Sequence, residues 1–227
     1  MPLNSTAILI FSYRPEKEAS IKKVLSNHSA RTNVAFFKAL QNRVEEITEP
    51  VGLPRIICDD TVQRGIGFQE RLFNAIEDGF AQGYEKLIVL GNDAPGMQTS
   101  DLTWAVDELE KGNSAVRLSQ LGGASLIALS KSDFENFNWF DIKWNSKETG
   151  ADLIDALDNC SFQDDLVHEI NTWTDLILFE LQNNYSRISV FISELLSQVK
   201  VSILQLFFIP RTEIPQLLQF RGPPRLV

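Results

Sequence analysis

With 227 residues and a mass of 25.6 kDa, the chain is long enough to bury a substantial core, which excludes small scaffolds that depend on disulfides or metals. Hydrophobic residues make up 44% and charged residues 22% of the sequence, a globular balance that excludes wholesale disorder. Against 21 Lys and Arg stand 30 Asp and Glu, a net charge of −9. General attraction to nucleic acid or to an anionic membrane is thereby excluded, and a local phosphate site stays open.

Ala7-Ile8-Leu9-Ile10-Phe11 is a continuous apolar run, the pattern of a strand covered on both faces in a parallel sheet. Phe36, Phe37, Leu40, Val44 and Ile47 then recur at helical spacing, and Asn33 is the expected cap. Arg55 to Cys58 reads as a short strand. Phe68, Leu72, Ala75, Ile76 and Phe80 mark one face of a helix that Gly83 stops. Lys86 to Leu90 is the clearest buried strand, and it runs into the breaker-rich loop Gly91-Asn92-Asp93-Ala94-Pro95-Gly96. Ser100-Asp101 is expected to cap a helix reaching about Lys111. Two further strands, Ser114 to Leu118 and Ala124 to Leu129, flank Gly122-Gly123. Strands alternating with helices predict an α/β fold around a mainly parallel sheet.

After about residue 150 the composition shifts. Ala151 to Glu180 carries eight acidic residues and no Lys or Arg, whereas Phe11 to Arg31 carries five basic against two acidic residues. Ile188, Phe191, Ile192, Leu195 and Val199 follow a helical period, and the tail is then interrupted by Pro210, Pro215, Pro223 and Pro224. This pattern predicts an α/β domain over 1–183 and a helical or irregular appendage over 184–227. The apolar helix of the appendage offers a surface for a second copy of the chain or for a protein partner. The longest late apolar run, Val201 to Pro210, is too short to span a bilayer, and Met1 to Thr6 lacks the basic start of a signal peptide. A cytoplasmic protein without a membrane span is the expectation.

Chemistry is constrained by what is missing as well as by what is present. Cys58 and Cys160 are far apart and have no His at metal-ligand spacing, so neither a zinc site nor a disulfide framework is indicated. His28 and His168 have no GxSxG elbow or neighbouring Cys, and both read as surface or boundary residues. In an open α/β sheet, ligands bind beyond the carboxyl ends of the strands, which singles out the loops after Phe11 and Leu90. Asp93 in the second loop is placed to hold a hard cation, or serves as an Asx-turn residue. Lys17, Lys22 and Lys23 beyond the first loop would face a phosphate or form a solvated face. Gly65-Ile66-Gly67 serves equally well as a turn. Trp139 and Trp144 lie close enough in sequence to share a pocket wall, although each of the four tryptophans also suits a core role.

Several segments together resemble a known family. Phe11, Pro15, Glu16, Lys22 and Leu25 match its FxKxPxPGxVKTRL segment with one residue inserted, and Gly65 to Leu72 matches its GDLGERL helix start. Gly91-Asn92-Asp93-Ala94-Pro95-Gly96-Met97 resembles its GTDCPGL loop, and Arg117 to Leu129 its GPAEDGGYYLIGL element. Ile142 to Thr149 and Glu169 to Leu176 are similar to its IPWST and DVDTxEDL elements. The family is that of bacterial glycosyltransferase-like proteins of the radical-SAM/selenodomain-associated transferase type 1, with a nucleotide-diphospho-sugar transferase (GT-A) fold. The resemblance covers about Ala7 to Leu176.

It implies a three-layer GT-A-like α/β fold, a nucleotide-sugar donor and an unidentified acceptor. It further implies Mg²⁺ or Mn²⁺ held by Asp93 and Asn171, with Lys22, Arg71, Asn92, Gly122 and Gly123 around the nucleotide. Departures accompany the matches. Glu18 and Val24 stand where the family has Gly and Arg, and Leu121 and Asn171 where it has acids. An amide ligates through its carbonyl oxygen without a negative charge, so these changes favour reduced or absent catalysis. Two functions are therefore carried forward: a metal-dependent glycosyltransferase, and a non-catalytic member of the same fold that acts as a binding or scaffold module. A nucleotidyltransferase is the weaker third, because Ser12 to Ser20 lacks a Gly-rich basic loop.

Overall fold

The computed structural model describes residues 5–22, 24–25 and 29–182. The division expected at residue 184, the apolar helix from Ile188 and His28 lie outside the described residues.

The strands are β1 (Thr6–Phe11), β2 (Arg55–Cys58), β3 (Lys86–Leu90), β4 (Ala115–Leu118), β5 (Ala124–Ser130) and β6 (Ser161–Phe162), forming one six-stranded sheet in the order β2-β1-β3-β5-β4-β6. Helices α1 (Pro15–Ile21), α2 (Ala30–Thr48), α3 (Gly67–Ala81), α4 (Thr99–Lys111), α5 (Lys131–Asn136), α6 (Thr149–Ala156) and α7 (Trp173–Gln182) connect and cover it. β1 pairs in parallel with β2 and β3, and β4 with β6, while β5 runs antiparallel to both its neighbours. Five strands thus share one direction and β5 opposes them. Because β5 is reversed, its first residues meet the carboxyl end of β3, with Leu126 opposite Leu90.

Side chains of successive strand residues point to opposite faces, and both faces here are apolar. Ala7, Leu9, Leu87, Val89, Val116, Ile127 and Leu129 pack against α3 and against Phe134, Trp139 and Leu153. Ile8, Ile10, Ile88, Leu90, Ala115, Leu126 and Ala128 pack against Val44 and Ile47 of α2 and Leu102, Ala105 and Leu109 of α4. Double coverage is why β1 and β3 read as unbroken apolar runs. A third cluster joins Val24 and Leu25 to Phe36, Phe37 and Leu40 of α2 and to Leu176 and Phe179 of α7. Among the described residues, no helix is long and apolar enough to cross a membrane.

Some local expectations are corrected. The second helix begins three residues before Asn33, and Ser29 is its cap, its side chain accepting from the Thr32 amide at 3.1 Å. Asn33 lies inside the helix and is buried because its amide works elsewhere, donating to the carbonyls of Ala19 and Lys22. Gln98, with Asp101 in a reciprocal capping box, starts α4 in place of Ser100-Asp101. His168 is buried, not at the boundary: its Nε2 lies 2.8 Å from the Asp175 carbonyl and its ring meets Phe179 edge to face. Trp139 and Trp144 stack with centroids 4.6 Å apart, but only Trp144 lines the main cleft described below, and Trp139 backs it from the core.

Candidate functional site

A cleft of about 520 Å³ opens at the carboxyl ends of β1 and β3 and the amino end of β5. Parallel pairing of β1 with β3 sets the loops after Phe11 and Leu90 side by side, which is where this sheet architecture places ligands. Phe68 and Trp144, with centroids 5.9 Å apart, supply an aromatic wall, and Phe11 meets Phe68 edge to face.

Lys22 enters from the C-cap of α1. Its Nζ lies 3.1 Å from Oδ2 of Asp93 and 3.0 Å from Oε1 of Glu18. Burial works to lower the Lys22 pKa, but Asp93 and Glu18 together outweigh it, so the ammonium is held above the usual lysine range. Asp93 is fixed through its backbone, whose carbonyl accepts from the Ile170 amide at 2.7 Å. That bond brings the 169–171 segment to the cleft, where Glu169 and Asn171 join the lining. Burial first, and then the Asp93 charge, push the Glu169 carboxyl up to about 7, against hydrogen bonds from Ser125 and Ser119 and the pull of Lys22.

On the opposite wall, Arg71 of α3 donates through Nη1 to the Tyr13 hydroxyl, and its guanidinium carbon lies 5.1 Å from the Tyr13 ring centroid. Its Nε is buried without a hydrogen-bond partner. Asn92 is 5% exposed, lines the cleft, and its Nδ2 is likewise buried and unpartnered. A buried amide without an acceptor costs about 1–3 kcal/mol.

Six of the seven residues singled out from sequence, Lys22, Arg71, Asn92, Asp93, Gly123 and Asn171, line this one cleft. Gly122 does not. It has a positive φ of 81°, and a Cβ there would sit 2.1 Å from the Lys147 carbonyl oxygen, so it shapes the wall that carries its neighbour. Position 24, where the resemblance has Arg, is buried with Leu25 and Phe36 and faces the core instead of a phosphate. Leu121 lines the rim. Sequence reasoning missed Glu169, Tyr13 and the role of Glu18. Only Glu18 carried a local signal, its i,i+4 spacing to Lys22.

The oxygen chemistry of Asp93, Glu169 and Asn171 suits a hard cation, but their arrangement fits a divalent ion poorly. Asp93 already neutralises an ammonium, Asn171 contributes no charge, and among the described residues no three His, Cys, Asp or Glu side chains are grouped as a metal site.

The fold that presents this cleft is the GT-A-like fold of nucleotide-diphospho-sugar transferases. It superposes with a TM-score of 0.67 on a Desulfovibrio desulfuricans G20 protein assigned as a nucleotide-diphospho-sugar transferase, at 18% identity over 89% of this chain and 98% of that one. The chain belongs to the family described as "Uncharacterized protein conserved in bacteria (DUF2064)", which matches residues 20–146. Looser similarity extends to Rv0371c of Mycobacterium tuberculosis H37Rv, with TM-score 0.45, 13% identity and 78% and 98% of the two chains covered. A cytidylyltransferase of Leptospira borgpetersenii serovar Hardjo-bovis gives TM-score 0.44, 13% identity and 89% and 97% coverage. No curated protein matches the sequence.

Proposed function

We propose that the cleft binds a nucleotide-diphospho-sugar and that the chain transfers its glycosyl group to an acceptor. The observation that carries this reading is the meeting of the Lys22 ammonium with Arg71 and Asn92 in one cleft at the carboxyl ends of β1 and β3. Donors of this kind suit the oxygens of a diphosphate and the hydroxyls of a sugar. The aromatic wall of Phe68 and Trp144 suits a base or the apolar face of a sugar ring.

In such a transfer the bond from the anomeric carbon to the diphosphate oxygen breaks and a bond to the acceptor oxygen forms. The acceptor's proton is released and the nucleoside diphosphate leaves. The protein's part is orientation and stabilisation of the departing charge, which needs no Ser, Cys or His nucleophile.

The test is thermal unfolding against UDP-, GDP-, CDP- and dTDP-sugars. Ligand at about a hundred times its Kd adds about 2.7 kcal/mol of stability. One nucleotide is expected to shift the transition, and Asp93→Ala, which frees Lys22 from its pin, is expected to abolish or strongly reduce that shift while leaving the fold intact. No shift with any of the four defeats the reading.

A non-catalytic binding role in the same cleft is the second reading. It is favoured by Leu121, an exposed apolar residue on the rim, and by the uncharged Asn171, both standing where the resembling family has acids. Donor binding without turnover in the presence of a broad acceptor panel would select it.

A further inference from the structure

We propose that the Lys22 ammonium takes the place of a divalent cation in this cleft, so that the nucleotide-diphosphate moiety binds without metal. The inference rests on the nucleotide-sugar reading above and names the charge that makes such binding work.

Asp93 leaves the carboxyl end of β3 and is the carboxylate on which a cation would be expected, yet its Oδ2 is 3.1 Å from Lys22 Nζ. The same ammonium is 3.0 Å from Glu18, one turn earlier on α1. An ammonium has three protons to donate. Two are taken by these carboxylates, and Lys22 lines the cleft with its side chain 28% exposed, which leaves the third proton for a ligand oxygen.

Lys22 is a built-in feature and not a passing surface contact. It caps the end of α1, its amide donates to the Glu18 carbonyl at 2.8 Å, and its own carbonyl accepts from the buried Asn33 at 3.3 Å. A lysine held by two carboxylates and by its own backbone keeps a charge in one place, as a bound ion does. A divalent ion arriving at Asp93 would have to displace the ammonium. Of the other cleft donors, Asn171 is neutral and Glu169, the second carboxylate, accepts from Ser125 at 3.0 Å, and no three acidic, His or Cys side chains are grouped as a metal site among the described residues. Arg71 and Asn92 line the same cleft as the ammonium.

The experiment is calorimetric titration of the full chain with UDP, GDP, CDP and dTDP, each in EDTA and each in Mn²⁺. The wild type is expected to bind one of them with affinities in the two conditions that agree within about threefold. Lys22→Met is expected to lose about tenfold or more of the metal-free affinity, the scale of one charge-assisted contact, and to recover it when Mn²⁺ enters the vacated place. Lys22→Arg, which keeps the charge, is expected to stay independent of metal.

Wild-type binding that appears only with Mn²⁺ overturns the proposal while leaving the nucleotide-sugar reading intact. So does metal-free affinity unchanged in Lys22→Met. The wild-type comparison alone decides the matter if the Met variant does not fold. Absence of binding by all four nucleotides in both conditions defeats the nucleotide-sugar reading itself, and this proposal with it.

Discussion

The side-chain amide of Asn33 donates to the carbonyls of Ala19, at 2.9 Å, and Lys22, at 3.3 Å, while its oxygen accepts from the Leu25 amide at 3.4 Å. One buried residue of α2 thus closes the end of α1, where the last helical carbonyls have no partner of their own, and fixes the backbone that carries the cleft lysine. Replacing Asn33 by Ala strands these groups in a part-buried setting. The expected cost is about 1–3 kcal/mol of unfolding free energy, read as a lower urea midpoint at unchanged slope, with nucleotide affinity falling alongside. A midpoint that does not move would show that water or neighbouring backbone satisfies the same groups.

The role of Asn33 also shows what the sequence conveys and what it withholds. Its chemistry suits a helix cap, and local pattern alone cannot reveal that a segment more than ten residues earlier claims its amide. Strands β1 and β3 were legible because both their faces are covered, so burial leaves an unbroken apolar run. The loop positions of Lys22, Asn92 and Asp93 followed from the same fact, since adjacent parallel strands deliver their next loops to one edge. Glu169 was not legible as a site residue. It reaches Asp93 through the bond from the Ile170 amide and the bridge between Ser119 and Val167, contacts that no local spacing encodes. His168 was misread for the same reason: its ring is buried by Phe179 of α7, which the polar sequence around it does not announce.

Arg117 is the most deeply buried guanidinium among those engaged in ion pairs, with 3% of its side chain exposed. Its Nε lies 3.0 Å from Asp101, at ion-pair distance although not aligned as a hydrogen bond, and its two terminal nitrogens clasp Asp165 at 3.1 and 3.0 Å. The partners differ in setting, since the side chain of Asp101 is 10% exposed and that of Asp165 is 79% exposed. Removing one member of a buried pair leaves an uncompensated charge, so Arg117→Met is expected to cost about 3–5 kcal/mol. Asp165→Asn touches the solvated arm and is expected to cost less than about 1 kcal/mol. Chemical denaturation of the two variants checks the ordering, and equal costs would refute it.

Glu169 gives the stability of the domain a pH dependence of definite sign. Its carboxyl is raised in the folded protein from 4.5 to about 7, by burial and then by Asp93. Between those values the folded state binds more protons than the unfolded state, so unfolding free energy falls as pH rises. This contribution is greatest below about 4.5, declines through the interval and is flat above about 7. Asp60 and Glu108 act in the opposite sense. Each is depressed to about 2 by its hydrogen-bonded partners, Arg14 for Asp60 and Asn113, Lys111 and Ser161 for Glu108, and their stabilisation is lost only as pH falls below the ordinary carboxylate range. The comparison of wild type with Glu169→Gln reads the Glu169 effect together with its coupling to Asp93, while Asp60 and Glu108 are common to both proteins. Their stability difference is expected to move in favour of the Gln variant as pH rises from 4.5 to about 7. Denaturant melts across that range measure it, and parallel curves for the two proteins would show that Glu169 remains an ordinary, solvated carboxylate.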